Sequence, residues 1–163
     1  MIDNDVLERV LATALTTGAD FAEIFASDWR GTGVGLDDGR IEQLSTGRSR
    51  GAGIRVIKGD TTGFAHTADL SEAGLRAAAR AAAEAASRGT GGVQVVALTA
   101  EPKRIVSPVE IDPSSIGKAK KVELLRRVDE AARATGGAIT QVSAGYSDGR
   151  TRVLIANSDG LLA

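Results

Sequence analysis

Apolar residues recur at three- and four-residue intervals from Val6 to Leu15, whereas from Phe21 to Trp29 they fall on alternate positions, so the chain opens with a helix and turns into a strand. The helix is expected over residues 3 to 17, with Asp3, Asn4 and Asp5 as caps and Gly18 closing it. In the strand, Phe21, Phe25 and Trp29 share one parity and Ile24 and Ala26 the other, which predicts two covered faces. Asp38-Gly39 between Thr32 to Asp37 and Arg40 to Ser45 is a hairpin signal. Gly51 to Lys58, the turn Gly59-Asp60 and Thr61 to Thr67 predict a second.

Ser71 and Glu72 then open a helix to about Ser87, whose Ala77, Ala78, Ala81, Ala82 and Ala85 offer a thin face for close packing on a sheet. Gly89 to Gly92 ends it, Val93 to Leu98 reads as a short strand, and Pro102, Pro108 and Pro113 mark a connection. Ser114 or Ser115 caps a third helix through Val122, Leu124, Leu125, Val128 and Ala132, stopped by Gly136-Gly137 near residue 134. Ala138 to Ser147, Asp148-Gly149 and Thr151 to Asn157 predict a third hairpin, and Ser158-Asp159-Gly160 a further turn. The fold class that follows is α+β: a largely antiparallel sheet of hairpins with about three helices packed on it. Only Leu161, Leu162 and Ala163 follow the last turn, too few to pair back along the preceding strand, so the chain is expected to be part of a longer protein.

Length and composition narrow the chemistry. At 163 residues, 42% hydrophobic and 25% charged, the chain suits one globular domain. It has no cysteine and one histidine, His66, so disulfides, thiolate zinc sites, histidine pairs and a Ser-His-Asp triad with a spare base are excluded within it. No apolar run approaches a membrane span of about 20 residues, and no signal-peptide layout opens the chain, so a cytoplasmic protein is expected.

Charge is balanced, 20 Lys and Arg against 21 Asp and Glu, so there is no general basic field for nucleic acid. Residues 1 to 47 hold three basic and nine acidic side chains, whereas Arg48, Arg50, Arg55 and Lys58 follow with no acid among residues 48 to 59. That local strip lacks interleaved aromatics, which counts against single-stranded nucleic acid. The glycine clusters at 31 to 35, 51 to 53 and 89 to 92 do not follow a strand and open a helix, the order a phosphate cradle needs. Asp37 and Asp38, being adjacent, would point to opposite faces of a strand and cannot share a proton. The candidate contact residues are therefore Arg48, Arg50 and Arg55, able to hold a carboxylate, with Phe64 and His66 at the end of a β run. His66 has a plain alternative as a polar strand-end residue, and the arginines one as a solvated face.

The order of these pieces resembles the N-terminal domain of the TldD/PmbA proteins, once labelled modulators of DNA gyrase. The resemblance is carried by Asp38-Gly39-Arg40, Gly51 to Val56 (GAGIRV), Gly63-Phe64-Ala65 and Asp69-Leu70-Ser71 before an alanine-rich helix. Gly18-Ala19-Asp20, Ala22-Glu23-Ile24 and Ile155 to Gly160 (IANSDG) support it, and Gly63 to Thr67 is closer to the TldD than to the PmbA (TldE) branch. The resemblance implies a zinc metallopeptidase subunit that pairs with a TldE/PmbA homologue, or with itself, to process small or unfolded peptides. The family's His-Glu-x-x-x-His helix and downstream cysteine match no position here, so no zinc ligand or catalytic residue is carried over, and zinc is implied only for the longer parent. There the metal would activate a water for attack on a peptide carbonyl, with the motif glutamate taking its proton. The role expected for this chain is substrate access and assembly, with the sheet edges around Thr32 to Thr67 facing the rest of the protein or a subunit. A noncatalytic peptide- or protein-binding adaptor is the rival reading, and hydrolysis by Asp and Lys residues of this chain a third that no spacing supports.

Overall fold

The structure, a computed structural model, describes residues 2–89, 97–100 and 109–163. These form two compact units, the described residues within Met1–Asp28, Arg50–Ile105 and Arg152–Ala163, and those within Trp29–Ser49 and Val106–Thr151. Three long strands, β1 (Phe21–Asp37), β2 (Arg40–Lys58) and β5 (Ser143–Asn157), contribute to both. No α-helix among the described residues is long and apolar enough to cross a membrane.

In the first unit the long strands are joined by β3 (Thr61–Thr67), β4 (Thr99–Ala100) and β6 (Leu161–Leu162), in the order β3-β2-β1-β5-β6-β4. Pairing of β2 with β3 and of β5 with β6 is antiparallel, and β4 lies parallel to β6. The fold class is therefore the mostly antiparallel α+β arrangement that the hairpin signals imply. One face of this sheet is covered by α1 (Asn4–Ala14) and α2 (Glu72–Ala86). Leu7, Val10 and Leu11 of α1, Leu75 of α2, Ile24, Ile54 and Val56 of the strands and a set of alanines are all buried together. Burial of each of those large side chains is worth about 1.5–3 kcal/mol, so this cluster drives the unit's folding.

The close fit comes from missing side-chain volume. A Cβ on Gly63 of β3 would stand 2.0 Å from the Ala82 carbonyl oxygen of α2, so helix and strand touch backbone to backbone. Ser71 caps α2, its Oγ accepting from the Gly74 N–H at 3.2 Å, as the sequence predicts. The buried stripe of α2 is Leu75, Ala78, Ala79, Ala82, Ala83 and Ala86, and Ala77, Ala81 and Ala85 face water. In a run of alanines composition cannot set the phase, and the single large residue, Leu75, does.

Other local expectations are corrected in detail. The first helix ends at Ala14, and Leu15 to Gly18 form a turn in which Gly18, at φ 73°, supplies the left-handed residue. The Phe21 to Trp29 parity is not covered on both sides: Ala22, Ile24 and Ala26 are buried, whereas Phe25 is 46% and Trp29 42% exposed. Leu161 and Leu162 do pair back, Ala156 opposing Leu162 with Ile155 and Ala163 exchanging backbone hydrogen bonds at 2.9 Å, because Gly160 at φ 93° lets the turn close within a few residues. The strand read over Val93 to Leu98 lies, apart from Ala97 and Leu98, outside the described residues, as do Pro102 and Pro108.

The second unit packs a single helix, α3 (Lys118–Ala134), on its parts of β1, β2 and β5. Asp38 at φ 44° and Gly39 at φ 76° make the β1–β2 turn, both left-handed as a two-residue hairpin of the I′ kind requires. Ser114 and Ser115 do not cap α3. Asp112 caps a 3-10 turn, Pro113–Ser115, and Gly117 precedes the helix with no side-chain cap. The third hairpin is absent: Ser143–Asn157 is one strand running through Asp148-Gly149. Gly149 serves a neighbour instead of a turn, since a Cβ there would sit 3.1 Å from the Trp29 indole nitrogen. Gly31 and Gly47 meet the same indole, so three glycines on three strands leave room for one exposed ring.

Candidate functional site

In the first unit, the sheet face away from α1 and α2 carries three of the candidate contact residues, Arg55, Phe64 and His66. Antiparallel pairing sets Arg55 opposite Phe64 and Gly53 opposite His66, and paired residues project to the same face. Phe64 is 63% exposed and stacks on His66, with ring centroids 6.4 Å apart. Gly53 lets the ring lie flat, since a Cβ there would stand 3.0 Å from two of its carbons. Phe25, Arg50, Phe64 and His66 line a shallow cavity of about 430 Å³, mostly apolar in character. Arg55 lies outside that lining: its guanidinium binds Glu23 at 3.2 Å and sits 5.9 Å over the Phe21 ring. The structure thus groups Arg50, Phe64 and His66, gives Arg55 its own partners, and places Arg48 among the lining of a different cavity in the second unit.

Such a shelf can hold an apolar side chain beside a carboxylate. Among its described lining residues His66 is the one imidazole, with no carboxylate beside it. The donor set does not fit zinc, since no group of three or more His, Cys, Asp or Glu side chains lies together among the described residues.

The second unit holds a charged cluster that the sequence reading missed. Lys121 and Asp148 have side chains only 4% and 10% exposed, with Nζ 2.6 Å from Oδ2. Tyr146 neighbours the same carboxylate, and the Lys121 ammonium lies 5.7 Å over the tyrosine ring. Burial pushes the Asp148 carboxyl towards neutrality, but Lys121 and Tyr146 together outweigh it and hold the group below the usual carboxylate range. Tyr146 is raised in turn by its bond to Asp148. A signal was present in the chain: Lys121, Leu125 and Asp129 fall four apart, which sets two charged residues in the apolar stripe of α3. Asp129 is likewise buried, accepting from Arg133 at 3.0 Å while Arg133 also binds Asp38 at the hairpin turn.

Comparison with known proteins places this arrangement. The family described as PmbA/TldA metallopeptidase domain 1 matches residues 22–86, and the PmbA/TldA metallopeptidase central domain matches residues 111–163. A metalloprotease TldD homologue of Haemophilus influenzae is 34% identical over 149 residues, covering 88% of this chain and 30% of that protein. A metalloprotease of Methanothermobacter thermautotrophicus is 29% identical over 161 residues, covering 99% and 34% respectively. The chain thus spans about a third of the length of these relatives. In fold it is similar to a Thermotoga maritima protein described as a modulator of a DNA gyrase, with TM-score 0.75 at 19% identity over 98% of this chain and 36% of that one. TldE of Thermococcus kodakarensis gives 0.67 at 21%, over 97% and 36%. With both domain descriptions matched in order along one chain, the protein belongs to the TldD/PmbA family.

Proposed function

We propose that this chain is the substrate-access and assembly part of a longer, cytoplasmic TldD-type zinc metallopeptidase that processes small or unfolded peptides, working with a homologous TldE/PmbA-type subunit or a second copy of itself. The observation that carries the reading is the exposed shelf of Phe25, Phe64, His66 and Arg50 beside β3, the end strand of its sheet. An end strand offers unpaired backbone groups to an extended chain, and the shelf offers an apolar floor with one cation, which together bind peptide main chain with little sequence preference. The metal chemistry belongs to residues outside this chain, and the shelf's part is to hold and align.

The test uses the full-length protein with its partner subunit. Phe64→Ser removes an exposed ring that no core contact needs, so the fold should persist by circular dichroism. Loss of one aromatic anchor is worth about 1–2 kcal/mol, so kcat/KM for an unstructured peptide should fall about 5–30-fold, or subunit association should weaken by that factor in sedimentation. Arg50→Glu should act in the same direction. Full cleavage and full assembly in both variants would refute the role.

A further inference from the structure

We infer that α3 is a detachable flap, which leaves its strands by pivoting at Gly117 while β1, β2 and β5 stay paired beneath it. The inference is independent of the peptide reading and concerns the second unit alone. When the flap lifts, it uncovers the strand face of Val34, Leu36, Ile41 and Ala144.

Little apolar contact holds the helix down. Leu125 is the one buried apolar side chain of its 17 residues, packed with partly buried Val122 against Val34 and Leu36. The other two buried positions, Lys121 and Asp129, are charged. The uncharged stripe of α3 faces the other way: Leu124 and Val128 are each 44% exposed, and Ala131 is exposed beside them. A helix fixed by packing turns its apolar stripe to the core, so charge must supply much of the hold on this one.

That hold is unequal at the two ends. Near the N-terminus, Lys121 and Asp148 form a buried pair at 2.6 Å. At the C-terminal end Arg133 reaches Asp38 of the β1–β2 turn, with side chains 38% and 60% exposed. Exposed pairs are worth about 0–1 kcal/mol, so the C-terminal end is the loose one.

The flanking chain is anchored and then freed. Before α3, the 3-10 turn Pro113–Ser115 is tied to β5 through Asp112 and Arg150. After it, Gln141 and Ser143 donate to Asp37 of β1 at 2.9 and 2.6 Å. Between these fixed points and the helix lie Gly117 on one side and Gly136-Gly137, at φ 77° and 84°, on the other. No described atom would stand within 4 Å of a Cβ at any of the three, so each has room to turn.

The experiment follows amide hydrogen exchange in the 163-residue chain by NMR, over a urea series below the unfolding midpoint. Off its strands a single short helix has little stability in water, so its amides exchange during the open time, whereas strand amides stay bonded to neighbouring strands. Amides of α3 should exchange at least about tenfold faster than those of Thr32 to Leu36 in β1, with a weaker urea dependence, the mark of an opening smaller than the whole unit. Arg133→Gln removes the pair with Asp38 and leaves the buried Asp129 carboxylate without its cation. It should speed exchange in α3 at least about fivefold and leave β1 and α2 unchanged. A single rate and urea dependence shared by α3 and β1 would overturn the inference, as would Arg133→Gln speeding both alike or neither.

Discussion

The first unit joins helices to sheet through Leu7, Leu11, Leu75, Ile24 and Ile54 with alanines and a glycine between them, whereas the second has Val34, Leu36 and Leu125 as its buried apolar core and sets Lys121, Asp129 and Asp148 close beside it. The first arrangement depends on shape. Its contacts are non-directional and tolerate no added volume where backbones touch. The second depends on pairing, because a buried charge is stable only with its partner present and its geometry kept. A thin apolar core can thus be completed by ions, at the cost of sensitivity to pH and to single charge removals.

The sharpest way to break this contrast is Lys121→Met. It keeps the length of the side chain but leaves the Asp148 carboxylate buried without its cation, and should cost the second unit about 3–5 kcal/mol in denaturant unfolding. Adding Asp148→Leu should restore most of that loss, since a well-packed apolar pair can replace a buried ion pair. If the single variant costs less than about 1 kcal/mol, water reaches the pair and the contrast fails.

In the first unit the corresponding change is Gly63→Ala, a single methyl. It would meet the Ala82 carbonyl oxygen at 2.0 Å and the Ala86 nitrogen at 2.8 Å, neither able to rotate away, so about 1–3 kcal/mol of destabilisation is expected. An unchanged melting temperature would show that α2 can lift from β3. Acid should discriminate between the units as well. Asp148 titrates below the ordinary carboxylate range when folded, so its pairing stabilises fully above an unfolded pKa of about 3.9 and is lost as pH falls through the lower folded value. Amide exchange in α3 should rise in that window before exchange in α2 does. The smallest effect is expected from Ser71→Ala, which removes the bond to the Gly74 N–H and should cost about 0.5–2 kcal/mol, confined to the α2 end.

Turn and cap chemistry was legible because it is local. Asp38-Gly39, Gly59 and Ser71 do in the fold what their residue types allow, and the glycines adopt positive φ at Gly39, Gly59 and Gly160. Asp148-Gly149 misled for the same reason. The dipeptide has turn chemistry, but Asp148 is held by Lys121 and Gly149 accommodates Trp29, contacts with residues 27 and 120 positions away that override it. Arg48, Arg50 and Arg55 looked like one strip because they are close in sequence. In the fold they line two different cavities and an ion pair with Glu23.

The sequence by itself determined the fold class, the main turns, the absence of cysteine chemistry and the family, since each rests on composition, on patterns within a few residues or on the order of short words along the chain. Tertiary structure alone decided which alanines of α2 are buried, that β5 runs straight through Asp148-Gly149, and that Lys121 belongs inside. The physical reason is that burial and charge pairing depend on partners distant in sequence: Leu75 sets the phase of a featureless alanine face against β3, and the Asp148 carboxylate makes a lysine in an apolar stripe stable where isolation would expel it.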